Sequence, residues 1–125
     1  MDFVATDDAP KAIGPYSQAV IHHGILYASG QIPLDPASGE LVQGDFATQA
    51  RRVFDNLAAV LRAGRSSFDR VLKATVYVTD LANFQTLNTI YAEYFGPHKP
   101  ARSTVQAAAL PKGATVEVDL IALVE

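Results

Sequence analysis

The amino-acid sequence predicts an α+β fold, a single mixed β-sheet with two helices on one of its faces. Three observations carry this. Apolar residues recur at helical spacing over 46–61 and 84–95, whereas several shorter runs alternate apolar and polar residues with the period of two that a strand requires. These stretches follow one another as strand, strand, helix, strand, helix, strand, strand, with glycine- and proline-containing turns at the joints. The chain has 125 residues, 49% hydrophobic and 18% charged, which is enough for one core and one domain spanning 1–125, without a repeat, linker or low-complexity run.

Taken in order, residues 2–6 can add a short edge strand, and Gly14-Pro15 marks a turn that leaves Tyr16 at a loop-to-strand boundary. The apolar runs 17–22 and 25–29 flank His23-Gly24, which reads as a tight hairpin. Asp35 to Gly39 is a surface turn. The first helix is capped by Asp45 and stopped by Gly64, with Phe46, Ala50, Val53, Leu57 and Val60 or Leu61 inward and Arg62 in the last turn, where the helix dipole favours a cation. From Arg70 to Thr79, Leu72, Ala74, Val76 and Val78 face one way and Lys73, Thr75, Tyr77 and Thr79 the other. Asn83 caps the second helix, whose apolar side carries Phe84, Leu87 and Tyr91 and which ends at Gly96-Pro97. The last two strands are joined by a Leu-Pro-Lys-Gly turn at 110–113. Two helices cover only one face of such a sheet, and the other would show Thr75, Tyr77, Ile121 and Leu123. Self-association is the simple way to cover it.

Composition narrows the function classes. A net charge of -3 and a pI near 5.5 give no global footprint for phosphate backbones, so nucleic acid is not expected as a partner. Without cysteine there is no disulfide, thiol nucleophile or thiolate metal site. The three histidines have no metal-ligand spacing, and no glycine loop resembles a nucleotide fingerprint. The acidic N-terminal stretch lacks a basic segment followed by a long apolar run, and no apolar run is long enough to span a membrane, so a cytoplasmic location is expected.

The residues with chemistry gather near the C-terminus. Alternation puts Arg102, Thr104 and Gln106 on one side of a strand opposite Ser103, Val105 and Ala107, and sets Glu117 opposite Val116 and Val118; both charges are expected to leave the more apolar side. A guanidinium is a planar fork that grips a carboxylate through two hydrogen bonds, and a carboxylate can hold or deprotonate water. Spacing alone does not separate that pairing from an ordinary ion pair. Asn88, on or beside the buried side of the second helix, needs partners for its amide, which backbone or a ligand could supply. Lys73 and Lys112 are weaker candidates, read as solvated cations.

Pro-Ala-Arg-Ser (100–103), Leu-Pro-Lys-Gly (110–113) and Val-Glu-Val (116–118), preceded in order by Ala-Ile-Gly-Pro-Tyr (12–16), Ser-Gly-Gln-Ile-Pro (29–33), Lys-Ala-Thr-Val-Tyr-Val (73–78) and Asn-x-x-Tyr (88–91), resemble the signature of the YjgF/RidA family, the enamine/imine deaminases, over nearly the whole chain. The resemblance implies a chorismate-mutase-like fold assembled as a homotrimer around a barrel-like core, with ligand clefts between subunits. It implies hydrolysis of 2-imino acids, such as 2-iminobutyrate and 2-iminopropanoate, to 2-oxo acids and ammonia without metal or organic cofactor. By the same match, Arg102 would clamp the substrate carboxylate and Glu117 would hold the attacking water. Tyr16, Ser29, Gly30 and Asn88 would line the cleft. Thr104 stands where some members carry cysteine and would contribute its backbone carbonyl. Valine at 118 replaces the commoner isoleucine or methionine and should affect packing more than chemistry. Two rivals remain: a non-catalytic trimer that binds 2-oxo acids, and, less favoured by the acidic pI, an endoribonuclease or translation inhibitor.

Overall fold

The computed structural model describes residues 1–125 and builds its sheet outward from the expected hairpin. β2 (Ala19–His22) and β3 (Ile25–Gln31) pair antiparallel across His23-Gly24. Both turn residues have positive φ, 51° and 77°, the conformation that lets a two-residue turn follow the twist of its strands. β1 (Asp2–Val4) adds to the outer edge of β2. After α1 (Phe46–Ala63) come β4 (Val71–Val78), α2 (Phe84–Phe95), β5 (Ala101–Gln106) and β6 (Val116–Leu123). The six strands lie in the order β1-β2-β3-β6-β4-β5, and only β4 and β5, joined through α2, run parallel. A mixed sheet results because a parallel neighbour needs a crossover, and α2 provides one.

Both helices pack on the same face. Ala74, Val76 and Val78 of β4 and Val116, Val118 and Leu120 of β6 join Val53, Phe54, Leu57 and Val60 of α1 and Leu87, Ile90 and Phe95 of α2 in one core cluster. Asp45 accepts a hydrogen bond from the Thr48 N–H at the start of α1, and the Gly64 N–H closes its end onto the carbonyls of Val60 and Leu61. Phe54 is fully buried at the centre of an aromatic group with Phe68, Tyr91, Tyr94 and Phe95. Phe54→Ala is therefore expected to cost about 3–5 kcal/mol, read as a lowered urea midpoint with unchanged slope.

Two local expectations need correction. Asn83 occupies the cap position of α2 but makes no side-chain cap bond; Asp80, one short turn earlier, accepts from the Ala82 N–H instead. Leu72 does not face the core. The β4–β6 register shifts between Val71 and Lys73, so Val71 is buried while Leu72 is 41% exposed. An extra residue in one strand reverses the alternation before it, which a strict period of two cannot anticipate.

The uncovered face carries Thr75, Tyr77, Ile121 and Leu123 as expected, together with Tyr27 and Val105, 49% and 43% exposed. No helix is long and apolar enough to cross a membrane.

Candidate functional site

Strand pairing decides where the candidate residues point. Arg102 lies in register with Ala74, which pairs in turn with Leu120, so the arginine belongs to the row that faces the helices. Glu117 lies in register with Tyr77, which pairs with Val105, so it belongs to the uncovered face. The expectation that both charges leave the apolar side therefore holds for Glu117 and fails for Arg102. β5 is an edge strand, and the inner side of its row meets α2 at the rim of the core, where a long cation can sit against rings with its end in water. Within one chain the two charges face away from each other across the sheet.

Around Glu117 the chain builds a cavity of about 550 Å³, lined among others by Ile13, Tyr16, Ser29, Gly30, Lys112 and Glu117. Gly14, at φ 120°, reverses the chain so that the Tyr16 N–H reaches the Gly14 carbonyl at 2.9 Å. The Tyr16 hydroxyl accepts from the Ile13 N–H at 3.3 Å, and the ring stands 53% exposed at the cavity wall. Buried Gln18 ties this loop down, accepting from the Thr6 N–H at 2.7 Å and donating to the carbonyls of Thr6 and Pro10 at 3.0 and 2.8 Å. The Ser29 hydroxyl donates to the Ser17 carbonyl at 2.6 Å.

β3 changes register between Ala28 and Gln31, which lifts Ser29 and Gly30 out of the regular ladder. A side chain at Gly30 would fall onto the Glu117 carboxylate, with Cδ only 2.9 Å from the added Cβ. A larger residue at position 30 would therefore have to push the Glu117 carboxylate aside. Burial pushes the Glu117 carboxyl above the ordinary carboxylate range, and the Asp119 charge on the same face adds to the shift. Asp119 is itself raised by burial, opposed by the Tyr77 and Thr75 hydroxyls and the Lys73 charge.

On the other face, Arg102 reaches from β5 onto two rings of α2. Its guanidinium lies 4.8 Å from the centre of the Tyr91 ring and 5.5 Å from that of Phe84. The chain's single ion pair joins Arg51 to Glu93, so Arg102 has no carboxylate partner within the chain. Asn88 stands between the two rings on the same helix, four residues after Phe84 and three before Tyr91. Three buried polar atoms on α2 and β5 have no hydrogen-bond partner: Asn88 Oδ1, Tyr91 Oη and Thr104 Oγ1. Buried polar atoms are normally satisfied, so these two elements hold more hydrogen-bonding capacity than the chain itself uses. No three His, Cys, Asp or Glu side chains converge as a metal site would need.

The structure thus brings Tyr16, Ser29, Gly30 and Glu117 together at one cavity, and leaves Asn88 on α2 and Arg102 and Thr104 on β5 outside it. Comparison with known proteins shows the same chain design elsewhere. The family model described as Endoribonuclease L-PSP matches residues 6–124. The chain belongs to the YjgF/RidA family. It is 52% identical over 122 residues to protein DfrA of Myxococcus xanthus, covering 96% of this chain and 93% of that one. It is 45% identical over 120 residues to the human 2-iminobutanoate/2-iminopropanoate deaminase, covering 96% of this chain and 88% of that one. Among solved structures it matches Escherichia coli TdcF with bound serine at TM-score 0.94 and 39% identity, each chain covered completely.

Sequence reasoning missed two parts of this RidA-family architecture. Phe84 and Tyr91 were legible as helix core, and nothing in the sequence says that their faces meet a guanidinium. Gln18 is a buried amide in an apolar run, and its position between the Gly-Pro-Tyr turn and Ala19 is its only signal in the sequence.

Proposed function

We propose that this RidA-family protein hydrolyses 2-imino acids to 2-oxo acids and ammonia, at a site completed by two copies of the chain. The observation that carries the reading is the arginine without an in-chain carboxylate, on elements that also carry the unsatisfied side-chain oxygens of Asn88 and Thr104, combined with a carboxylate of raised affinity for protons in a small cavity. The name of the human relative supports the reaction, and the serine in the TdcF structure supports an amino-acid-like ligand. Because Arg102 and Glu117 leave opposite faces, a homotrimer that lays the β5 edge of one subunit against the Glu117 cavity of the next would bring them together. That arrangement would also cover the apolar residues of the open face.

In this mechanism Arg102 grips the substrate carboxylate through two parallel hydrogen bonds and fixes the imine carbon beside Glu117 of the neighbouring subunit. Glu117 takes a proton from water as the water oxygen bonds to the imine carbon, and passes that proton to the nitrogen to give the neutral carbinolamine. Glu117 then takes the carbinolamine hydroxyl proton and delivers it to the departing nitrogen as the C–N bond breaks, so that ammonia leaves, the C=O bond of the 2-oxo acid forms and the carboxylate is regenerated. No cofactor enters any step. Tyr16, Ser29 and Gly30 shape the wall around a small side chain, and Asn88 and Thr104 support the carboxylate end.

The test generates 2-iminobutyrate from threonine with a dehydratase and traps surviving imine with semicarbazide. The protein should reduce the trapped product. Co-folding Arg102→Ala with Glu117→Gln should restore about a quarter of the wild-type sites, since each intact site then needs one subunit of each kind. No reduction of trapping, together with saturable 2-oxobutyrate binding, would make the protein a metabolite-binding oligomer. Discrete RNA cleavage in moderate salt would instead support the nuclease name of the family model.

A further inference from the structure

We propose that Tyr91 and Phe84 form a two-sided aromatic seat that positions Arg102, with Tyr91 a positioning residue for the carboxylate clamp; this rests on the proposed function above. The two rings are seven residues apart on α2, almost two full turns, so they lie on one stripe of the helix. β5 passes beside that stripe, and its Arg102 places the guanidinium over both ring faces, at 4.8 and 5.5 Å from their centres.

The electronic consequence differs from that of an ion pair. A carboxylate inside the chain would stabilise Arg102 by occupying its N–H donors, and an incoming substrate would have to displace it. Ring faces stabilise the same charge through their quadrupoles and leave the donors unspent. The seat therefore holds the guanidinium in place while keeping its donor edge free for a carboxylate. An unpaired, mobile arginine would have to give up rotamer freedom on binding, and the seat removes part of that cost beforehand.

The two walls are built differently. Tyr91 is 9% exposed, stacked on Phe95 at 4.1 Å and 18°, and edge-on to Phe54 at 5.9 Å. Its ring cannot tilt without disturbing the core. Phe84 is 40% exposed and forms the outer wall, so it can be trimmed without opening a core cavity. The Tyr91 hydroxyl is buried without a partner, and burial raises its pKa, with Arg102 opposing the shift. The phenol stays neutral, and Arg102 meets a ring face instead of a phenolate. The seat thus depends on the ring.

The substrate carboxylate carries the same charge before and during imine hydrolysis, so a weaker clamp loosens ground state and transition state alike. Trimming the seat should then raise KM and leave kcat nearly unchanged, whereas mere loss of folded sites lowers apparent kcat at constant KM. Calorimetric titration with 2-oxobutyrate should show Kd raised about five- to thirty-fold in Phe84→Leu and Tyr91→Leu, and within about threefold of wild type in Tyr91→Phe. Circular dichroism and oligomer size check the fold, and Phe84→Leu keeps the test decisive should Tyr91→Leu fail to fold. If the leucine variants bind as tightly as wild type while Arg102→Ala loses binding, the seat is wrong and the clamp stands. If Tyr91→Phe fails as badly as Tyr91→Leu, the hydroxyl and not the ring is the working part, and the seat is again overturned. If Arg102→Ala binds 2-oxobutyrate unchanged, both the clamp and its seat fall.

Discussion

Arg102→Ala is expected to lower kcat/KM for 2-iminobutyrate about a hundred- to a thousand-fold, the consequence of removing one partner from a hydrogen-bonded charge pair in a closed cleft. Within the chain the substitution should be mild, because Arg102 forms no ion pair and leaves no buried carboxylate stranded. Apart from its contacts with the Tyr91 and Phe84 rings, its effect is therefore reserved for the ligand. The decisive comparison sets semicarbazide trapping beside calorimetric binding of 2-oxobutyrate: both should be lost while the oligomer and its thermal midpoint persist. Arg102→Lys should recover only part of the binding, since an ammonium is a point charge without the planar fork that matches a carboxylate. Full activity in Arg102→Ala would remove the clamp from the mechanism.

Glu117→Gln is expected to lower kcat about a hundred- to ten-thousand-fold while altering KM little, because the carboxylate acts on water and not on the substrate's charged end. The pH dependence follows from burial. The free base is needed, and its pKa is raised, so wild-type kcat should climb as pH rises through a value above the ordinary carboxylate range. In Glu117→Gln this acidic limb should vanish.

Stability should move the other way. A carboxyl whose folded pKa exceeds its unfolded value contributes fully below the unfolded value and loses that contribution as pH rises through the folded one. At neutral pH the ionised, half-buried glutamate is a cost. Glu117→Gln should accordingly melt higher than wild type at pH 7, and the gap should close as pH falls below the usual carboxylate range. Equal melting points at pH 7 would contradict the burial assigned to Glu117. Gly30 fits this picture, since the missing side chain leaves the Glu117 carboxylate its place against β3.

Several features were legible because they are local. The Asp45 cap, the Gly64 stop, the His23-Gly24 hairpin and the periodicity of both helices each depend on residues within a turn or two of one another. The candidate site residues were legible as a shortlist from the resemblance, and four of them line one cavity. The division of the list was not. Alternation tells which residues of one strand share a side, and it does not tell how one strand's sides match its neighbour's. That match comes from the pairing of Ala74 with Arg102 and of Tyr77 with Glu117, contacts between residues far apart in sequence. The bulge at Leu72 shows the same limit, because an inserted residue changes parity without changing composition.

The sequence by itself determined which elements form, in what order, and which family signature they carry, since propensity, capping and turn chemistry are short-range. Only the tertiary structure decided that Arg102 turns inward onto Tyr91 and Phe84 while Glu117 turns outward beneath Gly30, because strand register is chosen by how the whole sheet buries its apolar face against two helices.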